Sequence, residues 1–233
     1  MLTIGFLHHS GFVVEMENSI LVFDDYKDPA GLLDEVINQS DKKLYFFVSH
    51  NHGDHFNPSI LNYAGRAEMY ILHKDCHVPP GIARPVVYME RGDEENIGPF
   101  HVKMYGSTDA GGSWYITGLG HTMFHAGDLN WWHWAGESEA ENKEARQMYE
   151  KELSKITEKE VDIAMFPVDA RQEVAREWGV KRFLEHLAVK QVLIPMHAFG
   201  ARWNPSYEFR WSYPDTPLWI PRKDGDRWKG GSI

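Results

Sequence analysis

The chain has one cysteine, Cys76, so no disulfide can form within it, which suits a reducing compartment. Long apolar runs are also missing. No segment approaches the roughly 20 uninterrupted apolar residues that span a bilayer, and no membrane partner is expected. Basic residues are scarce, with 24 Lys and Arg against 34 Asp and Glu, giving a formal net charge of −10. A molecule of that charge lacks the positive field that dominates nucleic-acid affinity, and Lys181-Arg182 and Arg222-Lys223 are too short to supply one. No glycine-rich loop of the nucleotide-binding type is present, so ATP is not implied. Repeats, low-complexity tracts and interdomain linkers are lacking too, so the 233 residues are expected to form a single domain, 1–233. Leu2 to Leu7 reads as a strand rather than a basic leader, which makes the cytoplasm the expected location.

Apolar segments are short and strand-like in the first half: Leu2 to Leu7, Phe12 to Glu17, Ser19 to Phe23, Leu44 to Val48, Ala67 to Leu72, Phe100 to Tyr105, Ser113 to Thr117 and Thr122 to His125. Helical periodicity occurs over Gly31 to Gln39, where Leu32, Leu33, Val36 and Ile37 share a face, and over Glu137 to Ile156 and Val174 to Leu187. Asn57 and Pro58 suit the start of a short helix running to Tyr63. Val161 to Phe166 and Val189 to Pro195 are core strands. Strands followed by alternating helices and strands predict two sheets with helices on their outer faces.

The strongest signal follows Leu44 to Val48. Ser49-His50-Asn51-His52-Gly53-Asp54-His55-Phe56 places three imidazoles and a carboxylate within six positions at a strand mouth, the mixture a transition-metal site needs. His50 and His52 can grip one ion, while Asp54 and His55, around the following bend, can address a second. Two ions about 3.5–4 Å apart can share a carboxylate and activate a water between them. Asp128, in His125-Ala126-Gly127-Asp128, is the candidate shared carboxylate, although a Gly-Asp pair alone is commonly a turn. His197, in Pro195-Met196-His197-Ala198-Phe199, is a further strand-end candidate.

His50, His52, Asp54 and His55 match the His-x-His-x-Asp-His stretch of the metallo-β-lactamase superfamily, which the chain resembles over nearly its whole length. More narrowly it is similar to small single-domain metal-dependent hydrolases related to the ascorbate-phosphate lactonase group. That likeness is carried by His9-Ser10-Gly11-Phe12, Phe23-Asp24, His125-Ala126-Gly127-Asp128 and Pro195-Met196-His197. The resemblance implies an α/β fold, the four-layered αβ/βα sandwich. It also implies two divalent ions, with Zn as the first expectation. His50 and His52 would bind one ion, Asp54, His55 and His197 the other, and Asp128 both. Members use a metal-held hydroxide as nucleophile, which Asp54 orients or deprotonates, so Asp54 and Asp128 are the catalytic candidates. The family usually supplies one more His to the first ion, and this chain has Gly106-Ser107-Thr108-Asp109-Ala110-Gly111-Gly112 there. Asp109 is the preferred replacement and His125 the second choice, since in a straight strand His125 and Asp128 would face opposite ways. Asp109 in place of a neutral His makes Mn or Fe more plausible beside Zn. His9 reads as an outer contact of the centre or an ordinary loop residue, and Asp24 as an acceptor holding the ligand loops.

Tryptophans follow both downstream candidates: Trp131, Trp132 and Trp134 after Asp128, and Trp203, Trp211 and Trp219 after His197. They serve either as packing or as walls of a partly apolar substrate pocket. Arg202 and Arg210 are candidates to neutralise a substrate phosphate or carboxylate there, or else to pair with a glutamate. The leading expectation is a hydrolase of a small-molecule ester, lactone or phosphoester. A phosphodiesterase or nuclease-like hydrolase is the near alternative, and a metal-binding protein with little or no catalysis the remoter one. An iron-dependent redox enzyme on the same scaffold would need a reducing partner. Oligomeric state is left open, a homo-oligomer included.

Overall fold

The computed structural model describes residues 2–82, 84–199 and 201–230. The chain folds into two compact units, Met1–Glu90 with Pro221–Ile233, and Arg91–Ile220.

The first unit is one seven-stranded sheet in the order β13-β1-β2-β3-β4-β5-β6. Its strands are β1 (Thr3–His8), β2 (Gly11–Glu15), β3 (Ser19–Phe23), β4 (Lys43–Val48), β5 (Ala67–His73), β6 (Val86–Met89) and β13 (Arg227–Lys229). The pairings β1–β2 and β2–β3 are antiparallel, whereas β3–β4, β4–β5 and β5–β6 are parallel. A parallel connection needs a crossover. The helix α1 (Leu32–Asn38) joins β3 to β4, and a 3-10 helix (Pro58–Tyr63), whose first turn Asn57 caps through the Ser59 amide, joins β4 to β5. Leu32, Leu33, Val36 and Ile37 are all buried and pack in one apolar cluster with Leu7, Val22, Leu44 and Phe46. Five of the six β4 residues are buried, as expected for a central parallel strand covered on both faces.

The second unit repeats that plan with a six-stranded sheet, β12-β11-β10-β9-β8-β7. Here β7 (Glu94–Ile97), β8 (Phe100–Gly106), β9 (Gly112–Gly118) and β10 (His121–His125) form an antiparallel meander. The strands β11 (Glu160–Pro167) and β12 (Ala188–Met196) then add in parallel through the helices α2 (Glu139–Leu153) and α3 (Trp178–His186). Ser138 and Glu141 close a capping box at the start of α2. Phe183 of α3 lies 5.3 Å from Phe124 and 4.6 Å from Phe166, ring centre to ring centre, at the middle of this core. A short α4 (Tyr207–Ser212) follows.

The expected helix Val174–Leu187 is in fact two pieces. A 3-10 helix, Ala170–Ala175, is broken at Glu173 (φ 53°, ψ −116°), and α3 begins only at Trp178. Val174 is 83% exposed, so the apolar residue that suggested an earlier start buries nothing. No helix among the described residues is long and apolar enough to cross a membrane.

In both units the candidate ligands sit at carboxyl ends of parallel strands, where open α/β sheets commonly place ligand sites. Asp24 follows β3 and His50 to His55 follow β4. Asp128 follows β10 and His197 follows β12.

Candidate metal centre

In the first unit, the turn after β4 is closed by the amides of His55 and Phe56 on the His52 carbonyl, at 3.0 and 2.8 Å. That turn gathers the imidazoles. The His50 ring lies 4.4 Å from His52 and 4.2 Å from His55, centre to centre. Ligating atoms of His9, Asp54 and His55 fall within 4.8 Å of one another. His50 and His55 are fully buried, while His52 is exposed.

Hydrogen bonding fixes the form of the buried rings. Asp24 is 0% exposed and accepts the Ser49 amide at 2.7 Å, the Ser49 hydroxyl at 2.6 Å and His55 Nδ1 at 2.7 Å. An ionised carboxylate only accepts, so His55 carries its proton on Nδ1. Ser49 gives its one hydroxyl proton to Asp24, so in its 2.9 Å contact with His50 Nδ1 the serine oxygen accepts, and His50 also carries its proton on Nδ1. In the neutral form of both rings Nε2 is then the lone-pair nitrogen, the form a metal ligand requires. Asp24 therefore does more than accept backbone hydrogen bonds: directly and through Ser49 it selects the neutral tautomer of two ligand candidates. His9 Nε2 lies 3.5 Å from Asp54 Oδ2. This contact holds the Asp54 carboxyl well below the usual carboxylate range, against the opposing effect of its partial burial.

The second unit uses the same device. His197 Nδ1 is 3.0 Å from Asp169 Oδ2, and Asp169 is fully buried. His197 Nε2 lies 3.4 Å from Asp128 Oδ1. Burial works to raise the pKa of Asp169, but hydrogen bonds from His197 and Arg171 outweigh it and bring the value down to about 2. Gly127 turns the chain with φ 52° just before Asp128. Asp109 is brought beside Asp128, with carboxylate oxygens within 4.8 Å. Thr108 explains the approach, since its hydroxyl lies within hydrogen-bonding distance of the Asn130 carbonyl (2.6 Å) and amide (2.9 Å). His125 is placed otherwise: it is buried at the end of β10, where its Nδ1 accepts the Gly127 amide at 3.2 Å.

Backbone strain concentrates at these positions. Among the described residues, His9 (φ 55°), Asp24 (φ 42°) and His197 (φ 58°) are three of five non-glycine residues in the left-handed region. Such conformations cost on the order of 1–3 kcal/mol each and persist where the surroundings over-determine them.

The tryptophans divide. Trp132 lies 5.1 Å from the His197 ring and stacks on Trp134 at 5.7 Å and 5°, so Trp132 faces one ligand candidate with Trp134 beside it. Trp131 turns away to pack on Trp178 at 5.2 Å. It lines a cavity of about 830 Å³ between α2 and α3, with His133, Asn142, Arg146, Trp178 and Arg182, and none of the ligand candidates lines that cavity. Trp203 is buried and donates to Glu177 at 2.9 Å, and Arg210 bonds the Pro205 carbonyl and Asn204, both as local struts. Arg202 is exposed, and its carbonyl accepts from Arg176.

Sequence reasoning passed over Asp169, Arg171 and Phe199. Asp169 stands two residues beyond an apolar strand, a weaker form of the strand-end signal that marked His197.

No protein-family model matches this sequence, and no curated protein matches it. Solved structures do. The metallo-β-lactamase fold protein YhfI from Bacillus subtilis superposes with a TM-score of 0.65 at 14% identity, covering 99% of each chain. Igni18, a metallo hydrolase from the hyperthermophilic archaeon Ignicoccus hospitalis, gives 0.61 at 14% identity over 97% of each chain. CmlA, a diiron β-hydroxylase from Streptomyces venezuelae, gives 0.55 at 13% identity over 84% of this chain and 44% of its own. The chain has the metallo-β-lactamase fold, and fold neighbours include metal-dependent hydrolases.

Proposed function

We propose that this chain is a metal-dependent hydrolase of a small-molecule ester, lactone or phosphoester. In this reading His50 and His52 with Asp109 serve one divalent ion, Asp54, His55 and His197 a second, and Asp128 both. The observation that carries it is the hydrogen-bond logic of the three buried imidazoles. His50, His55 and His197 are each held through Nδ1 by Ser49, Asp24 and Asp169, which selects Nε2 as the donor to an ion. Imidazoles so oriented, with carboxylates beside them, suit zinc first and manganese or iron next.

Divalent ions bound there would lower the pKa of a water and polarise the substrate's carbonyl or phosphoryl oxygen. The protein's own groups do the rest. Asp54, kept ionised by His9, accepts a hydrogen bond from the attacking water and orients it. Trp132, Trp134 and Phe199, the last 5.3 Å from the His197 ring, offer apolar surface to the non-reacting part of the substrate and exclude water from it.

The likeness to a diiron hydroxylase, together with the carboxylate at Asp109, favours iron-dependent oxidation as a second reading. A substrate panel separates the two. The chain, stripped of metal and reloaded with Zn, is expected to hydrolyse at least one of an aryl acetate, a γ-lactone and a bis-aryl phosphodiester. His50→Ala should lose at least about 100-fold of that rate, the scale of losing a group that acts at the reaction centre. No hydrolysis by the Zn form, with oxygen consumption by an Fe form supplied with reductant, would replace this reading by the oxidative one.

A further inference from the structure

Two parallel strand pairs present an imidazole in the same way, one in each unit. Asp24, at the end of β3, holds His55 beyond the neighbouring β4, and Asp169, beyond β11, holds His197 at the end of the neighbouring β12. Both carboxylates are fully buried. Asp24 also accepts the amide and hydroxyl of Ser49. Asp169 is clamped by Arg171, whose amide donates at 2.8 Å, Nε at 3.1 and 3.0 Å to the two oxygens, and Nη2 at 2.6 Å. A carboxylate shared with a guanidinium has less charge to lend an imidazole than the same carboxylate without that cation.

Resting on the metal-centre reading above, we propose that Asp169 is the positioning residue for His197 and that Arg171 attenuates it. Together they set how strongly His197 Nε2 donates to an ion. Arg171 also lies over the Phe199 ring at 4.0 Å and 5.5 Å from the Trp134 ring, so the same guanidinium ties the aromatic wall to the ligand's support.

This assignment makes the two members of one ion pair act in opposite directions. Asp169→Asn withdraws the negative charge behind His197 and is expected to weaken ion binding about 10–100-fold, the usual scale for an outer partner of a ligating histidine. Arg171→Met leaves the whole Asp169 charge to His197 and is expected to tighten binding. A pair acting only as a strut would weaken binding in both variants. Half of the Arg171 side chain is exposed, so its replacement leaves the core intact.

The test titrates the metal-stripped full chain with Co²⁺, followed by visible absorption, with Zn²⁺ in competition. Wild type is expected between the two variants in affinity, with the Co²⁺ bands of Arg171→Met displaced from those of wild type. Nitrogen-15 NMR of the Zn-loaded wild type is expected to show His197 protonated on Nδ1. Equal losses in both variants, no change in either, or a His197 proton on Nε2 would overturn the assignment. If Asp169→Asn does not fold, Arg171→Met and the NMR measurement decide the matter. A wild type that binds neither Co²⁺ nor Zn²⁺ sinks the metal-centre reading itself, whereas ordinary binding with indifferent variants sinks only the role of the pair.

Discussion

Asp24 is the residue whose replacement tests the most at once. Asp24→Ala deletes the acceptor of three buried hydrogen bonds, from the Ser49 amide, the Ser49 hydroxyl and His55 Nδ1. Each donor left without a partner costs about 1–3 kcal/mol. Because the serine hydroxyl can rotate toward another acceptor, the three together are expected to cost about 3–6 kcal/mol, before alanine's poor tolerance of φ 42° is added. Asp24→Asn behaves differently. Its amide oxygen still accepts from Ser49, and asparagine tolerates the left-handed backbone, so its stability loss should stay near 1–2 kcal/mol. Its NH₂, however, donates toward His55 Nδ1 and moves the histidine proton to Nε2, which should weaken ion binding about 10–100-fold. Urea unfolding of the metal-free chains, beside Zn²⁺ titration of the folded ones, separates the two effects. The reasoning fails if Asp24→Ala unfolds within about 1 kcal/mol of wild type, or if Asp24→Asn binds Zn²⁺ as tightly as wild type.

Asp25 gives a pH signature with no ligand involved. Burial first, then the nearby charges of Asp28 and Asp34, raises its pKa to about 7. Between about pH 4 and 7 the folded chain keeps a proton that the unfolded chain releases, so stability is lost as pH rises through that window, by up to about 4 kcal/mol. Asp25→Asn, which stays neutral, should be more stable than wild type at pH 8 by a few kcal/mol and nearly equal to it at pH 4. Urea midpoints that give the same difference at both pH values contradict this. At the α2 terminus, Ser138→Ala breaks the capping box and should cost about 1 kcal/mol while leaving Zn²⁺ affinity unchanged, read by thermal unfolding and metal titration of one preparation.

The ligand motif was legible because His50 to His55 are contiguous and follow an uninterrupted apolar run, so neither register nor topology had to be known. Asp128 and His197 were legible as polar residues at strand ends. Asp169 was not, because its bearing on His197 arises from the parallel register of β11 on β12, which pairs Pro167 with Met196. Local periodicity carries no record of such a pairing. The same limit explains the elements that went unread. Glu94–Ile97 is a polar edge strand with one buried residue, Arg227–Lys229 has three residues, and Tyr207–Ser212 is under two turns of helix. None shows enough alternation to announce itself. The tryptophans after Asp128 divide because the chain turns tightly there, the His133 amide bonding the Trp131 carbonyl at 2.9 Å. Trp132 reaches His197 and stacks on Trp134, while Trp131 joins Trp178.

The central claim is that the imidazoles presented by Nε2 and the carboxylates beside them bind catalytic divalent ions. Anomalous diffraction at the Zn edge from Zn-loaded crystals tests it most directly. The account predicts two peaks, with Nε2 of His50, His55 and His197 as ligands, Asp128 shared between the ions and Asp109 on the first. Zinc bound elsewhere on the chain, or a ligand set without Asp128 and His197, would contradict it.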